Sequence, residues 1–310
     1  MNLQQLRYVQ EAVRRDLNLT NTAKALHTSQ PGISKAILEL EEELGIDIFA
    51  RHGRRLRRLT EPGQQVLAAI EIILREVANL RRIGEEHSLQ DAGTLTLAAT
   101  RLQARHLLPA AVTALRARHP RVQVMLHQGS AEQVARLVRD EVADLGLATE
   151  LPADADELVT LPCLDWQHVV IVPPEHALAA AAPTLEQLAA EPLATYQRGV
   201  SGRARIDAAF ARARLQPKVV LDAQDDEVIK TWVRLGLGVG IVAELALRDD
   251  AAGLVVHPAG ALFGANVARV LLRRGAYLRR FVYTFAELLS DRLSRALIEQ
   301  AMSGGDTYDI

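Results

Sequence analysis

Between Thr28 and Lys35 the chain sets hydroxyls, an amide and an ammonium within two helical turns: Thr28, Ser29, Gln30, Ser34 and Lys35, with Pro31 among them. Short donors and acceptors of this kind suit base edges and phosphate oxygens at the start of a recognition helix. Arg51, Arg54, Arg55, Arg57 and Arg58 then gather around Gly53. Their chemistry would be phosphate neutralisation or insertion into a narrow minor groove. The plainer alternatives are a capped, solvated surface helix and a solvated charge run. What separates the readings is whether the surrounding elements can hold both groups against one duplex.

The pattern from Asn18 to Thr60 predicts elements of that kind. A short helix over about 20–26 breaks at His27-Thr28-Ser29, and a second follows with Thr28 or Ser29 as its cap and Pro31 in its first turn, where a missing N–H costs nothing. Ile33, Ile37, Leu40 and Leu44 recur at steps of four, three and four, so that stripe is expected inward. Leu44-Gly45-Ile46 stops the helix, and Ile48, Phe49 and Leu56 flank a two-stranded basic wing. Residues 1–59 therefore read as a winged helix-turn-helix. Up to Thr60 there are ten Lys or Arg against seven Asp or Glu, a positive surplus in a chain whose net charge is −2, so charge is segregated along the sequence.

Thr60-Glu61-Pro62 opens a long helix running to about Ile83. Val66, Ile70, Ile73, Val77 and Leu80 follow a heptad rhythm, so 60–87 is expected to be a linker that pairs two copies. Two recognition helices on a two-fold axis would then read half-sites about one helical turn apart, or multiples of it. The other reading is a helix packed on its own domain.

Beyond Ser88, short apolar runs alternate with amphipathic helices: "GTLTLAAT", a helix over about 103–118, "VQVMLH", a helix over 131–142, "LGLAT", "LVTLPC", "HVVIVPP", "PLATY", a helix over 202–214, "VVLDA", a helix over 226–235 and "GLGVGIV". This alternation predicts βα units with parallel sheets in two lobes, and a cleft where strand ends and helix starts meet. Such clefts bind anions through backbone amides and helix dipoles.

Length and composition allow two or three domains: 310 residues, 49 % hydrophobic. The absence of a long apolar run and of a charged-then-apolar leader gives a cytoplasmic expectation, with no membrane. Cys163 is the only cysteine, which excludes an intramolecular disulfide and points to a buried thiol. An enzyme finds little support. "GLGVG" at 236–240 follows a helix and leads into a strand, the wrong order for a nucleotide loop, and the nine histidines show no metal-ligand spacing. Neither a catalytic residue nor a metal or cofactor is expected. A transported-solute binding protein would fit two lobes but not the N-terminal module.

The chain resembles the LysR-type transcriptional regulators, and most closely their CysB-like branch, which controls sulfur assimilation. The resemblance runs end to end. It rests on "TSQPGISKAILELEEELGIDIFARHGRRLRRLTEPG" and, later, on "QARHLLP", "HQGS", "LATE", "LPC", "EVIKTWVRLGLGVG" and "GAYLRRFVYTFAELLS". It implies an α/β protein with an N-terminal all-α winged helix-turn-helix, and an effector domain over 88–310 of two βα lobes similar to a type 2 periplasmic binding protein. Lobe I would be about 93–161 plus 267–295, and lobe II about 162–266.

The implied partners are double-stranded promoter DNA, RNA polymerase, and further copies forming a homodimer through the linker helix and a homotetramer. The implied effector is sulfate, acetylserine or a related sulfur metabolite, at Thr100, Gln103, Thr149 and Ser201. Trp166 resembles a residue near the branch's pocket, packing being its other reading. Where the branch carries Thr-His-Thr-Gln, this chain has Thr100-Arg101-Leu102-Gln103. Leu102 would remove a donor and leave an oxyanion oxygen unpaired, at a cost of about 1–3 kcal/mol. Arg101 would either pair with a sulfonate or carboxylate or point to solvent. Regulation of sulfonate or other organosulfur use, with an effector other than sulfate, therefore stands beside regulation of sulfur assimilation and cysteine biosynthesis. Asp225, Glu227 and Lys230 either edge the cleft or form a solvated face.

Overall fold

Asn2 caps α1 (Leu3–Arg14): its side chain takes the amides of Gln4 and Gln5, and Gln5 reaches back to the Asn2 amide. The structure, a computed structural model, describes residues 1–53, 55–89, 92–151, 156–200, 202–248 and 250–304. Leu6, Val9 and Ala12 of α1 share a core with Leu19 and Ala23 of α2 (Leu19–Ala25) and with Ile33, Ile37 and Leu40 of α3 (Gln30–Leu44). Ser29 caps α3 with Pro31 in its first turn, and Gly45 ends it at φ +69°. Leu44 departs from the expected stripe: at the helix end it lies past the core and is 39 % exposed.

The wing is a hairpin of β1 (Phe49–His52) and β2 (Arg55–Leu59), which buries Ile48, Phe49 and Leu56. Thr60 then takes the Gly63 amide and opens α4 (Glu61–Leu89), which continues past its expected end. Here the heptad seam divides. Ile70 is buried and Val66 half-buried in the DNA-unit core, together with Leu67 and Leu74, whereas Ile73 and Leu80 are 39 % and 69 % exposed. The compact units are Met1–Glu85 and Glu86–Ile310, so most of α4 lies within the first.

In the second unit, β3 (Gly93–Ala99), β4 (Val122–Gln128) and β5 (Leu145–Ala148) run parallel, as do β7 (Pro192–Tyr196), β8 (Lys218–Ala223) and β9 (Val239–Ala243). Added to these expected parallel strands is β6 (Leu158–Val172), which pairs antiparallel with β9, with β10 (Val255–Pro258) and with β11 (Ala265–Arg273). The path β4-β3-β5-β11-β6-β9-β7-β8 is continuous. "LVTLPC" and "HVVIVPP" are one strand. Pro162 reads as a strand end because it cannot donate to a ladder. A bulge absorbs it: Ala268 faces Leu164 and Arg269 faces Pro162, which leaves Cys163 as the extra residue. The Cys163 thiol is buried, and that burial pushes its pKa up to about 11.

Lobe I places α5 (Arg101–His106) and α6 (Leu108–Arg118), a helix pair where one helix was expected, and α7 (Ala131–Arg139) around its strands. Lobe II holds α8 (Leu185–Ala190), α9 (Arg203–Arg212), α10 (Asp226–Arg234) and α11 (Gly260–Phe263). The chain then returns through β11 to lobe I with α12 (Arg280–Leu289) and α13 (Arg295–Met302). Both faces of each sheet are covered, as the alternation along β6 shows. Val169 and Ile171 enter the core of Tyr196 and Ile229, while Val170 and Val172 enter that of Ile206 and Phe210. Gly236, at φ +72°, follows the end of α10, and a Cβ on Gly238 would lie 2.5 Å from the Pro192 carbonyl. These glycines therefore serve a helix end and a close backbone approach, in the order helix then strand.

Candidate DNA-binding surface and effector cavity

The structure brings Thr28, Ser29, Pro31 and Lys35 to the exposed side of the α3 start, with Gln30 and Ser34 half-buried beside them. Ser29 uses its hydroxyl as a cap, accepting from Gly32 N at 3.3 Å, and Lys35 makes a loose 3.7 Å pair with Glu39 one turn on. Arg55, Arg57 and Arg58 are exposed on the wing, and Arg54 lies outside the described residues. Arg51 is engaged within the unit. Its guanidinium pairs with buried Glu41 at 2.5 Å, and the other Glu41 oxygen accepts from Ile48 N at 2.8 Å and Phe49 N at 3.0 Å. Arg51 thus ties the wing to α3 through one guanidinium nitrogen. Glu41 was missed because the sequence does not show that the Ile48 and Phe49 amides return to it.

In the second unit a cavity of about 300 Å³ opens between the lobes. Lobe I supplies Thr100, Arg101, Gln128, Ser130, Gln133 and Glu150, and lobe II supplies Gly199, Val200 and Gln224. Of the expected effector residues that are described, Thr100 and Arg101 line it. Gln103, Thr149 and Trp166 form a chain behind. The Thr100 hydroxyl donates to Gln103 Oε1, Gln103 Nε2 donates to Thr149 Oγ1 at 2.8 Å, and Trp166 Nε1 donates to the same hydroxyl at 3.3 Å. Trp166 and Gln103 are buried, so they set the Thr149 hydroxyl without facing the cavity. Ser201 lies outside the described residues.

Leu102 sits deeper still. It is buried with Trp166, Tyr196 and Ile229 in the lobe II core and is not among the residues that line the cavity. Arg101 lines the cavity with its side chain 44 % exposed. It pairs with Asp225 across the cleft at 3.2 Å. Arg105 and His106, also on α5, reach Glu227 at 2.6 Å and Asp226 at 3.2 Å. Burial works to raise the Asp226 pKa, but the His106 hydrogen bond and charge, with Arg105, hold it below the ordinary value. Lys230 is no solvated residue: it is buried, 2.7 Å from Glu227 and 3.0 Å from Asp250.

Several cavity residues escaped the sequence reading although their signal was present. "HQGS" ends at Ser130, which caps α7 in a reciprocal box with Gln133 and so turns both side chains toward the cleft. Glu150, in "LATE", accepts from Gly202 N at the start of α9, at 2.5 Å. The lining thus combines neutral polar side chains with the charged Arg101 and Glu150 and with small or apolar residues. Among the described residues no His, Cys, Asp or Glu cluster is set to hold a metal, and no helix is long and apolar enough to cross a membrane.

Residues 3–64 match the model of bacterial regulatory helix-turn-helix proteins of the lysR family, and 88–294 match the LysR substrate binding domain. This chain belongs to the LysR family of transcriptional regulators. It is 53 % identical over the whole of both chains to the HTH-type transcriptional regulator CysB of Burkholderia cenocepacia. It is 44 % identical to the regulator cbl of Escherichia coli, over 95 % of this chain and 94 % of that one. The cofactor-binding domain of the Cbl transcriptional regulator superposes with a TM-score of 0.65 at 41 % identity, covering 69 % of this chain and 95 % of that one. Full-length CbnR in complex with its target DNA shares the fold, with a TM-score of 0.58 at 18 % identity over 94 % of this chain and all of that one. LysR-type regulators bind promoter DNA and small-molecule effectors, and they are not enzymes.

Proposed function

We propose that this LysR-type, CysB-like regulator controls genes of sulfur assimilation and cysteine biosynthesis, and that a small anionic or acetylserine-like effector, bound in the cavity between the lobes, sets its action on promoters. The observation that carries the reading is the cavity itself: Thr100, Gln128, Ser130, Gln133 and Gln224 line it with neutral polar side chains, in a chain 53 % identical end to end to a CysB. Neutral donors match an oxyanion's shape while leaving its binding reversible.

In this reading Thr28, Ser29, Gln30, Ser34 and Lys35 meet base edges and phosphates, and the exposed wing arginines meet the backbone. Thr100 meets the effector. Thr149, set by Gln103 and Trp166, positions that contact. Residues 1–59 would form the DNA-binding domain and 88–310 the regulatory domain. Exposed Ile73 and Leu80, with half-buried Val77, would pair two subunits through α4, and pairs would assemble into a tetramer.

Ligands that bind the native state raise its stability by mass action, by about 2.7 kcal/mol at a hundred times Kd. A thermal-shift series on the full chain with sulfate, thiosulfate, O-acetylserine, N-acetylserine, adenylyl sulfate and an alkanesulfonate should therefore rank the effectors. The stabilisation should disappear in Thr100→Ala. An alkanesulfonate ranking first would move the assignment to organosulfur use, and no response to any of the six would remove it.

A further inference from the structure

We propose that Glu150 is a built-in anion that an oxyanion effector must displace from the start of α9, so that each anion enters together with one proton. The inference rests on reading the cavity as an anion site. Glu150 leaves lobe I just past β5, lines the cavity, and reaches across to lobe II, where its Oε1 accepts from Gly202 N at 2.5 Å. That amide is fixed in place: Gly202 sits at φ +73°, and a Cβ on it would lie 2.3 Å from Asn266 Oδ1 and 2.9 Å from His168 Cε1. α9 has ten residues, and the carboxylate at its start is placed where the helix dipole favours negative charge.

A second anion brought into the same 300 Å³ meets the Glu150 charge at short range. The groups around Glu150 do little to offset this. Glu132 on α7 adds negative charge, Arg101 on α5 is paired with Asp225, and His168 on β6 lies behind Gly202. Burial raises the Glu150 pKa, the Gly202 hydrogen bond lowers it in part, and Glu132 adds to the rise, so a proton is already more easily accepted than by an ordinary glutamate. Protonation removes the repulsion and releases the Gly202 amide to the incoming oxygen.

Isothermal titration calorimetry of the full chain with sulfate, in paired buffers of different ionisation enthalpy between pH 6 and 9, reads both affinity and proton uptake. Sulfate itself does not titrate in that range. The expected result is uptake of one proton, with affinity falling toward tenfold per pH unit once Glu150 ionises. Glu150→Gln, which keeps the shape with a neutral acceptor, should bind sulfate at least tenfold tighter at pH 8.5 and lose the pH dependence. Sulfate affinity that is independent of pH, or unchanged or weakened in Glu150→Gln, overturns the inference and leaves the anion site standing. If neither protein binds sulfate, thiosulfate or an alkanesulfonate, the anion site itself is removed. The pH profile of the unaltered protein decides the matter even if the variant fails to fold.

Discussion

Glu41 uses both carboxylate oxygens: one holds the Ile48 and Phe49 amides and the other the Arg51 guanidinium. Removing it strands two buried amides and a cation, so Glu41→Ala should lower the stability of the DNA-binding unit by about 3–5 kcal/mol in urea unfolding. Arg51→Ala should act in the same direction, whereas exposed Arg55→Ala should leave stability unchanged, weaken binding to every DNA sequence and reduce the salt slope by about one. Arg51 and Arg55 cannot be told apart by residue type or charge, since only the fold reveals which of them meets a buried carboxylate. Gln30 and Ser34 were legible because the capping pattern and the Ile33–Leu40 stripe place them on the remaining face of α3. In the regulatory unit Thr100 was legible as the residue at a strand-to-helix junction. The burial of Leu102 was not, because it packs against Tyr196 and Ile229, which lie far along the chain in the other lobe.

At the scale of elements, α4 shows what a heptad pattern can and cannot specify. The spacing gives the apolar stripe, but the partner of each residue depends on where the neighbouring core ends. Ile70 belongs to that core, so Ile70→Ala should destabilise the unit by about 2–5 kcal/mol. Ile73→Glu with Leu80→Glu should instead leave unfolding unchanged and convert dimer to monomer in sedimentation velocity. A persistent dimer would move the pairing surface elsewhere.

The α5–α10 bridge is a second such case. Asp226 is depressed in the folded state, so the stability it contributes is fully present above the unfolded carboxylate value of about 3.9 and is lost as pH falls through the lower folded value. Urea unfolding below pH 4 should therefore show a decline that Asp226→Asn lacks, the variant being less stable already at pH 7. The bridge could not be read from sequence, because its charges lie more than a hundred residues apart. The parallel βα units could, each being a local pattern. The long β6 was hidden by Pro162, since local signals end a strand there and only the β11 partner continues it through the bulge.

The whole molecule combines a helix-turn-helix unit carrying a positive surplus with a regulatory unit built around a cleft. A ligand in that cleft can alter promoter binding only by its differential affinity for the arrangements the assembly adopts, typically about 1–3 kcal/mol. The end-to-end resemblance was readable because both units keep dense local motifs. Cavity membership was not, since the lobes meet only after the chain crosses between them twice, on β6 and β11. The most direct test is fluorescence anisotropy of the full chain on a sulfur-assimilation promoter fragment and on a scrambled duplex, at moderate salt, with and without the effector ranked first by thermal shift. The account predicts promoter binding at least about a thousandfold tighter than scrambled binding, and an effector-dependent change of about 5–150-fold that Thr100→Ala abolishes. Equal affinity for both duplexes, unmoved by any effector, would contradict it.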